Sequence, residues 1–280
     1  MFKAAIHKLT RALVVRDPVW GWLGNQLQKS GYLQAQRQAR TELEFTQLIK
    51  DSNIPRQVLA GPFKGLRYSK AEALGSALWP KLLGTYEQEL HSIIDPLLER
   101  PYRAVIDWGC AEGYYLVGFG RAMPDTLLIG VDPSEKALRR CREMATDNGI
   151  DSQRLKLFPS ATLSDFPTVL NERTLIISDC EGFENELFGE RTSLSENADL
   201  IIECHDHLVA GTTKRLTENL SQTHKITLVS STLRSLADVP KAAQEVLGTK
   251  ATAPQIERIL CEGRPSKMIW IVAEAKRNGE

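Results

Sequence analysis

The stretch VIDWGCAEGYYLVGFG, residues 105–120, runs from an apolar strand through a glycine-spaced turn into a helix. A strand, tight turn and helix in that order form the first βα unit of a nucleotide-binding sheet, and the turn cradles part of the ligand. The dinucleotide pattern GxGxxG places its middle glycine where backbone amides meet a pyrophosphate. Here Gly109 and Gly113 are separated by Cys110, Ala111 and Glu112, so alanine holds the middle place. Asp107 stands just before the turn. Carboxylates at Asp107 and Glu112 repel a diphosphate and suit a ligand that carries positive charge. On sign, the turn favours S-adenosylmethionine, with its ammonium and sulfonium, over NAD.

Outward from this stretch the pattern becomes regular. Apolar runs at 104–107, 127–131, 155–158, 174–178 and 200–203 read as fully buried strands with helical segments between most of them, which predicts a parallel, doubly wound sheet. SEKALRRCREMATDNG gives the clearest helix, with Ser134 as its cap and Asn148-Gly149 as its end. Two further strands, KITLVSS and MIWIVAEA, flank a helical insertion at about 234–262. The second strand ends at Asp132, placed to accept hydrogen bonds from ribose hydroxyls.

Residues 1–100 read as a mainly helical extension ahead of a catalytic domain at 101–280. Phe2, Ile6, Leu9 and Leu13 recur at helical spacing, and residues 1–40 carry seven basic side chains against Asp17 alone. Such a basic amphipathic segment either packs on its own domain or touches an anionic membrane surface. GPFKGLRY (61–68) reads as a turn or small hairpin, and KLLGTYEQELHSIIDPLLER as a helix interrupted or ended near Pro96. Trp20, Trp22 and Trp79 read as packing residues, and His224 as structural.

Thirty-five basic residues balance thirty-five acidic ones, which removes the global footprint of a nucleic-acid binder. No apolar run reaches membrane-span length, and mean hydropathy is −0.25. Five cysteines without CxxC spacing predict reduced thiols and a cytoplasmic location.

VIDWGCAEGYY, GVDPSEKALRRCREMATDNGI, LIISDCEGFENELF and LIIECHDH together resemble the class I S-adenosylmethionine-dependent methyltransferases, and among them the FkbM-like group, over about residues 60–275. The resemblance implies a Rossmann-like α/β fold, a seven-stranded, mostly parallel sheet with its last strand antiparallel. It also implies methyl transfer from S-adenosylmethionine, typically to a hydroxyl oxygen of a small molecule, sugar or glycan. By position, Asp107, Gly109, Cys110 and Gly113 would line the methionine end, Asp132 the ribose, and Ser160 and Ala161 the adenine. Of Tyr114 and Tyr115, which open the following helix, one would reach the cofactor carboxylate and the other pack, while Tyr86 and Glu87 would close over the ligand. Trp108 departs from the small or aliphatic residue usual at its place, and either packs or narrows the pocket.

A hydroxyl acceptor needs a base or a metal. Asp179 ends the fourth strand and Glu203, His205, Asp206 and His207 follow the fifth, so the adjacent strand ends gather carboxylates and imidazoles at one rim. Asp179 or His205 is the candidate general base. The plainer reading has Glu181 and Glu203 holding loop amides and His207 facing solvent. Asp179, Glu203 and Asp206 (or His205) form an alternative ligand set for Mg²⁺. A nucleic-acid methyltransferase on this fold would want Asn/Asp-Pro-Pro-aromatic where this chain has SDCEGFE. A cofactor-binding protein without catalysis remains open, as does oligomeric state.

Overall fold

The computed structural model describes residues 56–276 apart from 69, 190–196 and 265, together with positions 40, 43, 46 and 47. The basic amphipathic segment and Trp20 and Trp22 lie outside the described residues.

Seven strands form one sheet in the order β3-β2-β1-β4-β5-β7-β6: β1 (Ala104–Trp108), β2 (Leu127–Val131), β3 (Leu155–Phe158), β4 (Thr174–Ser178), β5 (Ala198–Cys204), β6 (His224–Ser230) and β7 (Ile269–Ala275). The first five pair in parallel, and β7 enters antiparallel between β5 and β6. This is the doubly wound, Rossmann-like sheet that the sequence predicts, with β7 as the reversed strand. β1, β4 and β5 are buried along their whole length, which is why their centres are apolar runs, Val105-Ile106, Leu175–Ile177 and Leu200–Ile202.

Helices fill the crossovers. Those used below are α1 (Leu78–Leu83), α2 (His91–Leu98), α3 (Tyr114–Ala122), α4 (Glu135–Asp147), α5 (Pro167–Leu170), α6 (Glu184–Phe188), α7 (Thr212–Leu220), α8 (Lys241–Leu247) and α9 (Ala253–Leu260). The Ser134 side chain accepts from the Ala137 amide at the start of α4, and Gly149 takes a left-handed φ of 73° beyond its end. α8 and α9 make up the insertion between β6 and β7.

One expectation needs correcting. The segment 81–100 is not one helix: it breaks at Gly84, and its second helix ends at Leu98, two residues beyond Pro96. Gly84 sits at φ 79° and its amide closes α1 on Pro80 and Lys81. Pro96 lies inside α2, which runs on to Leu98. Gly84 is held there by packing too, since a Cβ would lie 2.4 Å from the Ala60 carbonyl oxygen. GPFKGLRY does form a small hairpin, closed by an antiparallel bridge between Gln57 and Arg67.

Residues 58–102 share one apolar core with the sheet: Phe63, Leu66, Leu83 and Ile94 are buried together with Phe119, Leu128 and Trp270. The opposite face of the sheet packs Trp108, Ile176 and Ile202 against Phe166, Phe188 and Leu216 of α5, α6, α7 and their flanks. At the amino end of the sheet, buried Asp199 accepts from Tyr102 Oη (2.5 Å), Arg100 (3.0 Å) and the Ala275 amide (2.9 Å). That closes the lower edge and leaves the carboxyl end, where strand order reverses between β1 and β4, as the open one. Among the described residues no helix is long and apolar enough to cross a membrane.

Candidate functional site

Above the switch between β1 and β4 lies a cleft of about 600 Å³. Most of the predicted cofactor residues meet there: Asp107, Gly109 and Cys110 from the first turn, Tyr114 from α3, and Tyr86 from the segment before α2. Asp132, Ser160 and Ala161 complete the wall beyond β2 and β3, and Asp179 and Glu181 form its far lip. Gly113 and Glu87 do not line it. Gly113 lies beneath, where a Cβ would come 2.9 Å from Cys141 Sγ at φ 98°.

Gly109 serves the fold before any ligand. At φ 81°, a Cβ there would stand 1.8 Å from the Asp179 carbonyl oxygen. The ends of β1 and β4 are pressed together at this point, with the Asp179 amide donating to Trp108 O at 2.9 Å. Among the described residues, the non-glycine positions with positive φ are Glu87 (46°), Ala111 (46°) and Glu181 (52°). Such conformations cost energy in L-residues and collect at functional sites. All three lie on or immediately behind this cleft.

The acidic pair of the first turn does not behave as one. Glu112 is buried and fully engaged: its Oε1 accepts from Lys81 Nζ (2.6 Å) and Tyr68 Oη (3.1 Å), and its Oε2 accepts from the Leu74 amide (2.9 Å). The expectation that Glu112 presents free negative charge to the ligand is therefore corrected; Lys81 cancels it inside the protein. Asp107 is different. It is 3% exposed, and its Oδ2 has no hydrogen-bond partner among the described residues. Burial, reinforced by the charge of Asp179, pushes its carboxyl up to about 8.

Asp132 accepts from the Ala111 amide at 3.0 Å and the Ser134 amide at 2.8 Å, which fixes its carboxylate at the cleft edge. Trp108 packs: it meets Phe166 and Phe188 edge-on at 6.1 and 6.4 Å between centroids, and its indole N–H donates to Ala161 O at 3.2 Å. The bulky departure thus steadies the loop that carries Ala161.

Beyond Asp179 a smaller cavity of about 120 Å³ is bounded by Glu203, His205, His207 and Arg264. His205 is buried at the end of β5. Its Nδ1 lies 2.7 Å from Oε1 of Glu184, which opens α6 and is 0% exposed. Its Nε2 faces Asp179 at 3.5 Å, Glu181 at 3.6 Å and Glu203 at 3.8 Å. Burial opposes charge on His205, but the Glu184 hydrogen bond and the Asp179 carboxylate outweigh it and raise its pKa. Asp179 and Glu203 are both raised, burial leading and neighbouring carboxylates adding to it.

Behind them, the Arg264 guanidinium contacts Glu87 at 2.7 Å, Glu262 at 2.9 Å, and Glu203. Tyr115 donates to Glu87, and the Arg234 guanidinium binds Glu89. Glu87 thus belongs to this ionic network, which ties the insertion to the segment before α2, and it does not close over the cleft.

Of the predicted metal ligands, Asp179 and Glu203 lie 3.5 and 3.8 Å from His205 Nε2, but Asp206 does not join them. Asp206 turns away and accepts from the Thr213 amide (3.3 Å) and hydroxyl at the start of α7. Glu203 is taken by Arg264. The side chains that do converge are Asp179, Glu181 and His205, whose ligand atoms lie within 4.8 Å of one another. His224 is structural as expected, bound to Ala198 O at 2.9 Å, and all five cysteines are free.

Three residues escaped the sequence reading: Lys81, Glu184 and Arg264. Lys81 carried a signal, being a lone charge in the otherwise uncharged run LWPKLL. Glu184 lies inside the quoted DCEGFE. Arg264 meets partners 61 and 177 positions away, and nothing local marks it.

No protein-family model matches the chain, and no curated protein matches it. Solved structures similar to it include a precorrin-6y C5,15-methyltransferase from Geobacter metallireducens (10% identity, 67% of this chain, 89% of that one, TM-score 0.43). A SAM-dependent O-methyltransferase from Thermotoga maritima is similar at 12% identity over 68% of this chain and 66% of that one, TM-score 0.42. The O-methyltransferase TomG of Streptomyces achromogenes, in complex with SAM, is similar at 15% identity over 69% and 89%, TM-score 0.40. At such scores the fold rests on the strand order above.

Proposed function

We propose that the chain is an S-adenosylmethionine-dependent methyltransferase of the FkbM-like kind that methylates a hydroxyl of a small molecule, sugar or glycan. The observation that carries this reading is Asp107: a buried carboxylate with an unpartnered oxygen at the switch point calls for a ligand that donates to it. The residues present fit the cofactor, with Asp107 toward its ammonium, Asp132 toward its ribose, and Ser160 and Ala161 toward its base. When bound, it supplies an electrophilic methyl group.

The protein's task is to align the acceptor, exclude water and take up a proton, and alignment alone contributes roughly 7–11 kcal/mol to lowering such a barrier. His205 is built for the proton. Glu184 fixes its Nδ1, leaving Nε2 as the acceptor toward the cavity, and Asp179 beside it orients the hydroxyl and stabilises the imidazolium that forms. Because His205 must start neutral and its pKa is raised, turnover should climb with pH through a value above that of free histidine.

A second reading comes from the convergence of Asp179, Glu181 and His205, which would suit a divalent cation, with Glu184 as the carboxylate behind the histidine. Turnover that survives chelation removes it.

The test has two parts. Thermal shifts with S-adenosylmethionine, S-adenosylhomocysteine and NAD should rank NAD last; a larger shift with NAD overturns the reading. Tritiated methyl transfer into cell-extract fractions should label an acceptor with the native chain and fail with Asp179→Ala. Equal labelling by both removes Asp179 from the chemistry.

A further inference from the structure

We propose that a separate cavity beside the His205 rim seats the distal part of the acceptor, and that this part is an apolar group carrying an anion. The inference rests on the proposed function and deepens it by naming the chemistry of the acceptor beyond its hydroxyl.

The cavity, of about 480 Å³, opens between the end of β5, the first two turns of α7, the edge strand β6 and the approach to β7. It abuts the small cavity in front of His205, because His207 and Met268 line both. That small cavity in turn shares Asp179 and Glu181 with the cofactor cleft. The three spaces therefore adjoin in series, with His205 at the middle one. A molecule that presents a hydroxyl to His205 from the side away from the cofactor extends past His207 into the third space. Its volume lies within the roughly 300–1,000 Å³ of small-molecule sites.

The walls are largely apolar. Met268 is buried and held from both sides by Ser231: its amide donates to the Ser231 hydroxyl and its carbonyl accepts from the Ser231 amide, each at 2.9 Å. Leu228 of β6 lines the same space and is 52% exposed. One exposed leucine needs no explanation. Set with Met268 and Ile269 around a cavity, it gives a ligand an apolar wall. The acids of the rim are already engaged. Asp206 is taken by Thr213, and Glu218 lies 3.9 Å from Lys214. What remains is the ammonium of Lys267, which makes no ion pair among the described residues, and the exposed imidazole of His207. That donor set suits an anion. A bare glycan would leave its many hydroxyls against Leu228, Met268 and Ile269, at a cost for each one buried without a partner. An anion on a ring or alkyl chain sets each part against its match.

The probe is 8-anilinonaphthalene-1-sulfonate, an apolar ring system with one anion, titrated by its fluorescence into the full chain. Uncharged N-phenyl-1-naphthylamine is its counterpart, and S-adenosylhomocysteine binding is measured alongside by calorimetry. The native chain should bind one sulfonate, more tightly than the amine and equally with the cofactor site saturated. L228E sets a carboxylate on the apolar wall and should weaken the sulfonate at least about tenfold. K267E should weaken it about threefold, the size of an exposed charge contact, and leave the amine within about twofold. Both side chains are exposed, so both variants should keep the native melting curve and the native affinity for S-adenosylhomocysteine. No sulfonate binding, displacement by S-adenosylhomocysteine, or binding moved by neither substitution overturns the proposal. In the transfer assay the labelled product should be retained by both an anion exchanger and a reversed-phase column, and K267E should raise the apparent KM for it more than it lowers kcat. A neutral product overturns the proposal as well. If the sulfonate binds as described but the chain neither binds S-adenosylhomocysteine nor transfers label, the methyltransferase reading falls and takes the acceptor's place in this cavity with it.

Discussion

Two groups of acids lie around the cleft, at the turn after β1 and at the rim beyond β4 and β5. In the turn, Glu112 has one cation of its own and two further donors, and its charge is spent within the protein. At the rim, Glu87, Glu203 and Glu262 share Arg264, while Asp179 and Glu181 crowd His205. In the turn, Glu112 is balanced one to one by Lys81 while Asp107 has no such partner, and the rim is likewise short of cations. A balanced pair holds structure, whereas burial without enough countercharge raises Glu87, Asp179, Glu181 and Glu203 above the ordinary carboxylate range, as it does Asp107. What separates Glu112 from the other acids is its own countercharge.

The largest test of that contrast is Arg264→Ala. Removing the cation leaves Glu87 and Glu203 without a countercharge while Glu262 keeps Arg234 at 3.5 Å, and breaking a buried pair by deleting one partner costs about 3–5 kcal/mol. Chemical denaturation at pH 7 should show a loss of this size, partly recovered at lower pH as the carboxylates protonate. A loss below 1 kcal/mol would mean that the network is not held by charge.

Next comes the pH dependence at Asp107. Its folded-state pKa, about 8, lies above the ordinary carboxylate value, so the folded chain binds the proton more tightly. Stability from this group is greatest at low pH and declines as pH rises from the unfolded pKa to about 8, then levels. Cofactor binding has the opposite slope, because an ammonium needs the ionised acid. S-adenosylhomocysteine affinity should rise roughly tenfold per pH unit below that pKa, and Asp107→Asn should flatten the profile. A flat native profile would show that the orphan oxygen does not meet the ligand.

These differences also mark what was legible in the sequence. Strand positions were, because a fully buried strand has no choice but an apolar run, and the Ser134 cap was, because capping is local. The cleft followed from topology, since Asp107 is the last residue but one of β1 and Asp132 and Asp179 directly follow β2 and β4, all at the carboxyl edge of parallel strands. Charge state was not. Asp107 and Glu112 look alike in DWGCAEG, and what separates them is Lys81, which lies 31 residues from Glu112 on another helix. The break at Gly84 was hidden for a similar reason: proline is the stronger helix signal, but a left-handed glycine against Ala60 decided the fold.

The smallest effect sharpens the contrast from the other side. Asp206 sits beside His205 in sequence and was grouped with the rim, yet its carboxylate accepts from the Thr213 amide and hydroxyl at the start of α7. It acts as a helix cap supplied from outside the helix. Asp206→Ala should therefore cost about 1 kcal/mol of stability, as for other lost caps. It should leave the pH profile of turnover unmoved, whereas Glu184→Gln should shift the His205 limb of that profile downward by withdrawing the carboxylate that raises it. Were Asp206→Ala to displace the limb as Glu184→Gln does, its carboxylate would belong to the proton-exchanging group after all, and the boundary drawn by countercharge would be wrong.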